Sequence, residues 1–200
     1  MHALPESPCS RLVVISGPSG AGKSTVVDEL IALCPLPLAL SVSATTRQPR
    51  KGEVEGEDYF FLTPEQFAAR QAAGDFLECK QYAGNWYGTL QSQVTAGLAA
   101  GKWVILEIDV KGTLAVLELQ PDALTIFVNA ESLEELQRRL VARNTESPEN
   151  LARRLATAEW EVAQKHRYRY EVINRDVGQA VREVCEILLK HAKETQCSMP

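Results

Sequence analysis

Arg11-Leu12-Val13-Val14-Ile15-Ser16 leads without a break into Gly17-Pro18-Ser19-Gly20-Ala21-Gly22-Lys23-Ser24, and that into Thr25-Val26-Val27-Asp28-Glu29-Leu30-Ile31-Ala32-Leu33-Cys34. The first segment is a short β-branched run ending at glycine, the pattern of a strand buried on both faces of a parallel sheet. The last is helical, from about Lys23 to Cys34, and Pro35 and Pro37 stop it. Between them lies GxxxxGK[ST], and a strand before and a helix after are the context that gives this pattern meaning. Glycines let the backbone turn its N–H groups inward, and the helix start adds partial positive charge, so the loop suits phosphate groups. Gly17 to Ser24 is therefore the expected nucleotide site, with Lys23 reaching the β- and γ-phosphates and the Ser24 hydroxyl ligating Mg²⁺. A phosphate loop alone does not name the acceptor, because it serves many chemistries.

Outward from this loop, strands of the buried type recur at Trp103–Ile108 and Leu124–Val128, with a last short one at Tyr170–Asn174. Helical patterns fill Leu90–Ala100, Gly112–Leu119, Leu133–Arg143, Pro148–Gln164 and Val177–Lys193. Alternating strand and helix predicts an α/β fold, a parallel sheet covered on both faces. Residues 38–89 break the alternation. They hold short segments (LALSVSA, DYFFL, DFLECKQY) separated by turns and interrupted by a helix, Pro64–Ala73, and they read as a small mixed sheet inserted after the first helix.

A chain of 200 residues favours one domain and buries roughly 70% of its unfolded surface, enough to fold without staples. Hydrophobic residues make up 45% and charged residues 24%, an ordinary globular balance. The net charge of −5 argues against a general binder of nucleic acid or anionic membranes, so positive charge for anionic ligands must be gathered locally. Five widely spaced cysteines without a CxxC pair fit reduced thiols better than disulfides or zinc, and the three histidines lack metal spacing. The opening MHALPESPCS has no basic region followed by an apolar stretch, and no apolar run approaches the roughly 20 residues that span a bilayer. The cytoplasm is the expected compartment. Monomer and homo-oligomer are both compatible with the sequence.

The insert carries three linked motifs. Ser41-Val42-Ser43-Ala44-Thr45-Thr46-Arg47-Gln48-Pro49-Arg50-Lys51-Gly52-Glu53 comes first, then Gly56-Glu57-Asp58-Tyr59-Phe60-Phe61, then Phe76-Leu77-Glu78 with Gly84-Asn85-Trp86-Tyr87-Gly88-Thr89. With these in order behind the phosphate loop, the chain closely resembles the guanylate kinase family, from about Arg11 to about Lys193. The resemblance implies an enzyme that transfers the γ-phosphoryl group of MgATP to GMP, and also to dGMP, within purine nucleotide metabolism. It implies a single domain over residues 9–195: a core (9–37, 90–130 and 165–195), a GMP-binding lobe (38–89) and a lid (131–164), with 1–8 and 196–200 as flexible tails. Arg47, Arg50, Tyr59 and Tyr87 match the positions that grip the GMP phosphate. Ser43, Glu78 and Thr89 match those that read guanine.

The residue types suit these tasks. Two arginines supply fork-shaped donors for a phosphate dianion, and a phenol adds a neutral donor. Guanine presents two adjacent donors, N1–H and the 2-amino group, and one carboxylate accepts both. Adenine has no such pair, so a buried Glu78 would reject AMP by a factor on the order of 10⁴. Trp86 is assigned to packing.

Val104-Ile105-Leu106-Glu107-Ile108-Asp109 reads as a strand ending in two carboxylates on one side. Such an end commonly orders Mg²⁺, here Asp109 through water with Ser24. The family usually shows aspartate where Glu107 stands, so the expected Glu107 contact with GMP or metal-bound water is shifted. Lys111 replaces a more usual glutamine. Arg139 and Arg143 share a helix face, and with Arg154 they match the lid positions that contact phosphate. With Lys23 they form the expected catalytic set. Arg138 and Arg153 read as solvated charges. Asn144 stands where glycine is frequent. Asn174 matches a position near the adenine, although Arg175 replaces the usual neighbouring acid. Lys165-His166-Arg167-Tyr168-Arg169-Tyr170 reads as a structural helix end.

Two rival readings share parts of this pattern. One is a phosphate-loop kinase acting on another small molecule, which would not need the guanine-reading set. The other is a non-catalytic guanylate-kinase-like interaction module, which characteristically lacks the intact loop present here.

Overall fold

The computed structural model describes residues 11–82, 84–142 and 148–196. The expected tails, apart from Gln196 at the end of the last helix, and the lid positions Arg143 and Asn144 lie outside the described residues. A five-stranded sheet is built from β1 (Leu12–Ser16), β2 (Leu38–Leu40), β7 (Trp103–Glu107), β8 (Leu124–Asn129) and β9 (Tyr170–Ile173), in the order β2-β7-β1-β8-β9. Every pairing within it is parallel. β1 lies at the centre because it is apolar on both faces. Val13 and Ile15 enter one core with Val26, Val27 and Leu30 of α1 (Lys23–Leu33) and Val181, Val184 and Leu188 of α7 (Val177–Gln196). Leu12 and Val14 enter a second core with Val94 of α3 (Gln91–Ala99) and Val116 of α4 (Val110–Leu119). Side chains alternate along a strand, so this one five-residue run feeds both layers.

A second, four-stranded sheet has the order β4-β3-β6-β5, from β3 (Ser43–Thr45), β4 (Phe60–Phe61), β5 (Phe76–Tyr82) and β6 (Asn85–Leu90). β3 runs parallel to β4, while β6 is antiparallel to both β3 and β5, which makes the sheet mixed. Beneath it α2 (Pro64–Ala73) starts with a capping box, Thr63 with Gln66. Phe67 of α2 stacks on Phe76 and Trp86, with ring centroids 4.4 and 5.8 Å away, so Trp86 serves packing. The remaining helices are α5 (Leu133–Ala142) and α6 (Pro148–Ala163), and Lys165–Arg167 is a single 3-10 turn.

One boundary differs from expectation. Leu38–Leu40 does not open the insert: β2 pairs with Trp103–Ile105 at the edge of the core sheet, and the chain changes sheets between Leu40 and Ser43. The cause is the edge that β7 leaves open on the side away from β1. The strand carrying Glu107 also stops at that residue, and Asp109 begins α4 instead. Among the described residues, no helix is long and apolar enough to cross a membrane.

Candidate active site

The loop after β1 is shaped by two close approaches. A Cβ at Gly17 (φ 144°) would fall 1.9 Å from the Val128 carbonyl oxygen, and one at Gly22 (φ 83°) 2.5 Å from Asn174 Nδ2. The first place admits no side chain against that backbone, and the second is a left-handed position that favours glycine. Gly22 is also the N-cap of α1 and supplies no side-chain cap, so the first N–H groups of that helix are left for an anion. Lys23 Nζ donates to the Gly17 and Pro18 carbonyls at 2.7 and 3.0 Å, folded back over the loop. A cavity of about 130 Å³ is lined by Ser19, Gly20, Gly22, Lys23, Ser24, Thr25 and Glu107.

At this cavity the Ser24 hydroxyl donates to Glu107 Oε1 at 2.6 Å. The two carboxylates expected to share a side therefore part. Glu107 turns to the phosphate loop, whereas Asp109 Oδ1 caps α4 through the Gly112 N–H at 2.9 Å and pairs with Lys80. Glu107, not Asp109, adjoins the Ser24 hydroxyl.

The second sheet brings the expected acceptor residues together. Ser43 is the cross-strand neighbour of Thr89, and Thr89 that of Glu78, so the three form one row across β3, β6 and β5. Thr89 donates its hydroxyl to Glu78 Oε1 at 2.8 Å, and Glu78 Oε2 accepts no hydrogen bond. Both residues are buried, at 1% and 7% exposure. Burial pushes the Glu78 carboxyl above its ordinary range, with Lys80 and Thr89 pulling the other way. Tyr87 lies two residues from Thr89 on the same face, and its ring meets that of Tyr59 edge-on at 6.2 Å. Burial, then the charge of Glu107, raises the Tyr59 phenol.

The Arg47 guanidinium stands 5.3 Å from the Tyr59 ring centroid. It is held by Glu53 through two bonds, each 2.9 Å. Glu53 also accepts the Arg50 N–H at 2.6 Å. Glu53 thus shapes the turn that presents both arginines, a role sequence reasoning missed although the residue closes the motif.

From the other side, α5 and α6 approach the phosphate loop. Arg139 Nε donates to Glu135 at 2.8 Å and its Nη2 to the Asn174 carbonyl at 3.1 Å. Arg154 donates to the Ser19 hydroxyl. Arg138 is 77% exposed, in keeping with a solvated charge. Asn174 does not project outward: buried, it donates Nδ2 to the Ala21 carbonyl at 2.8 Å and braces the loop from behind. Arg175 pairs with Glu131 at 3.2 Å.

Two charged residues beside the site were also missed. Glu161 of α6 is 7% exposed; burial raises its carboxyl, while Lys23, the Ser19 N–H, Lys80 and Lys111 oppose that. Lys80 of β5 is brought down to about 8 by burial, against the pull of Glu78 and Glu161. Nothing local separates either from a solvated surface charge, and the single available signal for Lys80 was its two-residue spacing from Glu78.

Comparison with known proteins identifies the family. The family model for guanylate kinase matches residues 9–191. A guanylate kinase of Rhodopirellula baltica is 58% identical over 193 residues, covering 94% of this chain and 91% of the relative. One of Rubrobacter xylanophilus is 51% identical over 178 residues, covering 89% and 93%. The crystal structure of guanylate kinase from Anaplasma phagocytophilum superposes with a TM-score of 0.74 at 29% identity, covering 92% of this chain and 87% of that one. The match over residues 9–191 and these likenesses place the chain in the guanylate kinase family.

Proposed function

We propose that the protein transfers the γ-phosphoryl group of ATP to GMP, giving ADP and GDP, and that dGMP is also accepted. The observation that carries the acceptor is the buried row Ser43, Thr89 and Glu78, whose carboxylate has one oxygen without a hydrogen-bond donor. An ionised carboxylate is an acceptor only, and guanine supplies two adjacent donors for it. Arg47, Arg50, Tyr59 and Tyr87 take the GMP phosphate, with Glu53 fixing the Arg47 fork. The backbone of Gly17–Ser24 and Lys23 take the ATP phosphates, and the reaction is assigned to the cytoplasm. The division into core, GMP lobe and lid is retained, with the lobe beginning after Leu40.

Mg²⁺ suits the site on the chemistry of its donors. Ser24 and Glu107 present a hydroxyl and a carboxylate oxygen 2.6 Å apart at the cavity, hard oxygen ligands of the kind this ion takes beside substrate phosphates. Bound there, it would neutralise charge on the transferring phosphoryl group. Among the described residues no cluster of three or more His, Cys, Asp or Glu forms a cage for a metal, so ligands in addition to Ser24 and Glu107 would come from ATP and water.

The chain's own groups do the rest. The acceptor oxygen belongs to a phosphate whose second pKa is near 6, largely deprotonated at neutral pH, so no protein base is required. Positioning of two polyanions and neutralisation by Lys23, Arg139, Arg143 and Arg154 supply the rate. Asn174 acts by holding the loop backbone through Ala21. The test is ADP release from ATP with GMP, dGMP, AMP, CMP or UMP as acceptor. Turnover with GMP and dGMP, and rates lower by about 10² or more with the others, is expected. Equal rates with AMP or a pyrimidine nucleotide would remove the guanine assignment.

A further inference from the structure

Glu78 and Lys80 stand two residues apart on β5 and so share one face of it. Both converge on Gly112 in α4: a Cβ there would lie 3.1 Å from Glu78 Oε2 and 3.3 Å from Lys80 Nζ. The lysine side chain is 20% exposed and its ammonium is ion-paired with Asp109. The remaining charges near this ammonium come from three helices: Lys23 on α1, Lys111 on α4 and Glu161 on α6. The oxygen of Glu78 that faces Gly112 has no hydrogen-bond donor, so Lys80 is the principal nearby charge favouring its ionised form.

The ionisation of this carboxyl decides which purine fits. An ionised carboxylate offers two acceptors, matching N1–H and the 2-amino group of guanine. A protonated one offers a donor and an acceptor, which match the unprotonated N1 and the 6-amino group of adenine. We propose that Lys80 is a positioning residue for acceptor specificity, its ammonium keeping Glu78 ionised in a buried setting and thereby keeping adenine out. This rests on Glu78 reading the base, as set out above.

The test is the ratio of kcat/KM for GMP to kcat/KM for AMP between pH 6 and pH 8.5. Both nucleotides carry the same 5′-phosphate, so its titration cancels. Guanine takes the ionised carboxyl and adenine the protonated one, so in the parent the ratio rises with pH, and loss of an opposite charge this near should lower it by roughly tenfold at every pH in the range for Lys80→Met. Lys80→Gln should behave alike and stands in if the first variant does not fold. Lys80→Arg keeps the charge and should hold the parent ratio. An unchanged ratio in the methionine variant, or a parent ratio that does not rise with pH, overturns the proposal, as does an arginine variant as impaired as the methionine one. Glu78→Gln cannot titrate and should give a low, pH-independent ratio. A parent-like ratio in that variant instead overturns the guanine reading on which the proposal stands.

Discussion

Lys23→Ala removes an ammonium that donates to the Gly17 and Pro18 carbonyls at 2.7 and 3.0 Å. The cavity beside the loop admits water, so both carbonyls can be resolvated and each bond is worth about 0.5–1.5 kcal/mol net. Two such bonds amount to about 1–3 kcal/mol, and at ~2–4 °C per kcal/mol the melting temperature should fall by about 2–12 °C. Catalysis should suffer more. A charge aimed at the transferring phosphoryl group is worth on the order of 10²–10³ in kcat, about 2.7–4 kcal/mol. A coupled ADP-release assay at saturating ATP and GMP reads kcat, and thermal unfolding of the same sample reads the fold. Because the interaction strengthens in the transition state, kcat and kcat/KM should fall together. A folded variant that loses less than about fivefold in kcat, or loses only KM, would refute the role given to Lys23.

Three other outcomes are expected. Asn174→Ala strips the buried Ala21 carbonyl of a 2.8 Å donor at a cost of about 1–3 kcal/mol, so KM for ATP should rise about 5- to 150-fold with KM for GMP unchanged. Equal effects on both substrates in initial-rate kinetics would argue against a brace specific to the loop. Thr89→Val deletes the 2.8 Å donor to Glu78 while keeping shape, and isothermal titration should show GMP bound about 10-fold more weakly, as for loss of a hydrogen bond to a charged group; undiminished affinity would contradict this. Glu161→Gln should melt higher than the parent at pH 8. The folded carboxyl is raised above its ordinary 4.5 by burial, so its charge opposes folding above that raised value. The gain should therefore vanish as pH falls toward 4.5, and calorimetry showing a gain independent of pH would exclude the cause given.

The parts legible in the sequence are those whose signal is local. The run Leu12–Ile15 is apolar at every position, and the glycine loop leads directly into a helix start, so strand, cradle and helix declare one another. The mixed sheet around Ser43, Thr89 and Glu78 was legible from short alternating segments and from family motifs. Leu38–Leu40 was assigned to the wrong sheet because the apolar stretch from 38 to 44 does not encode which partner it will meet; the free edge of β7 decides that. Glu107 and Asp109 sit at alternating positions, but the strand ends between them and the second becomes a helix cap. Lys80 and Glu161 were illegible for the same physical reason: charged residues are usually solvated, and the burial of these two comes with tertiary neighbours far along the chain, Lys23 and Lys111 among them. Asn174, matched in the sequence to a position near the adenine, also donates to the Ala21 carbonyl, a contact that no local signal announces.

The most direct measurement follows the fate of the γ-phosphorus itself. Purified protein is given ATP labelled with ³²P at the γ-position together with unlabelled GMP and Mg²⁺, and the products are separated. The label should appear in the β-phosphate of GDP, in step with unlabelled ADP. Label released as inorganic phosphate, or retained in ATP while GMP is unchanged, would contradict direct transfer between the two sites.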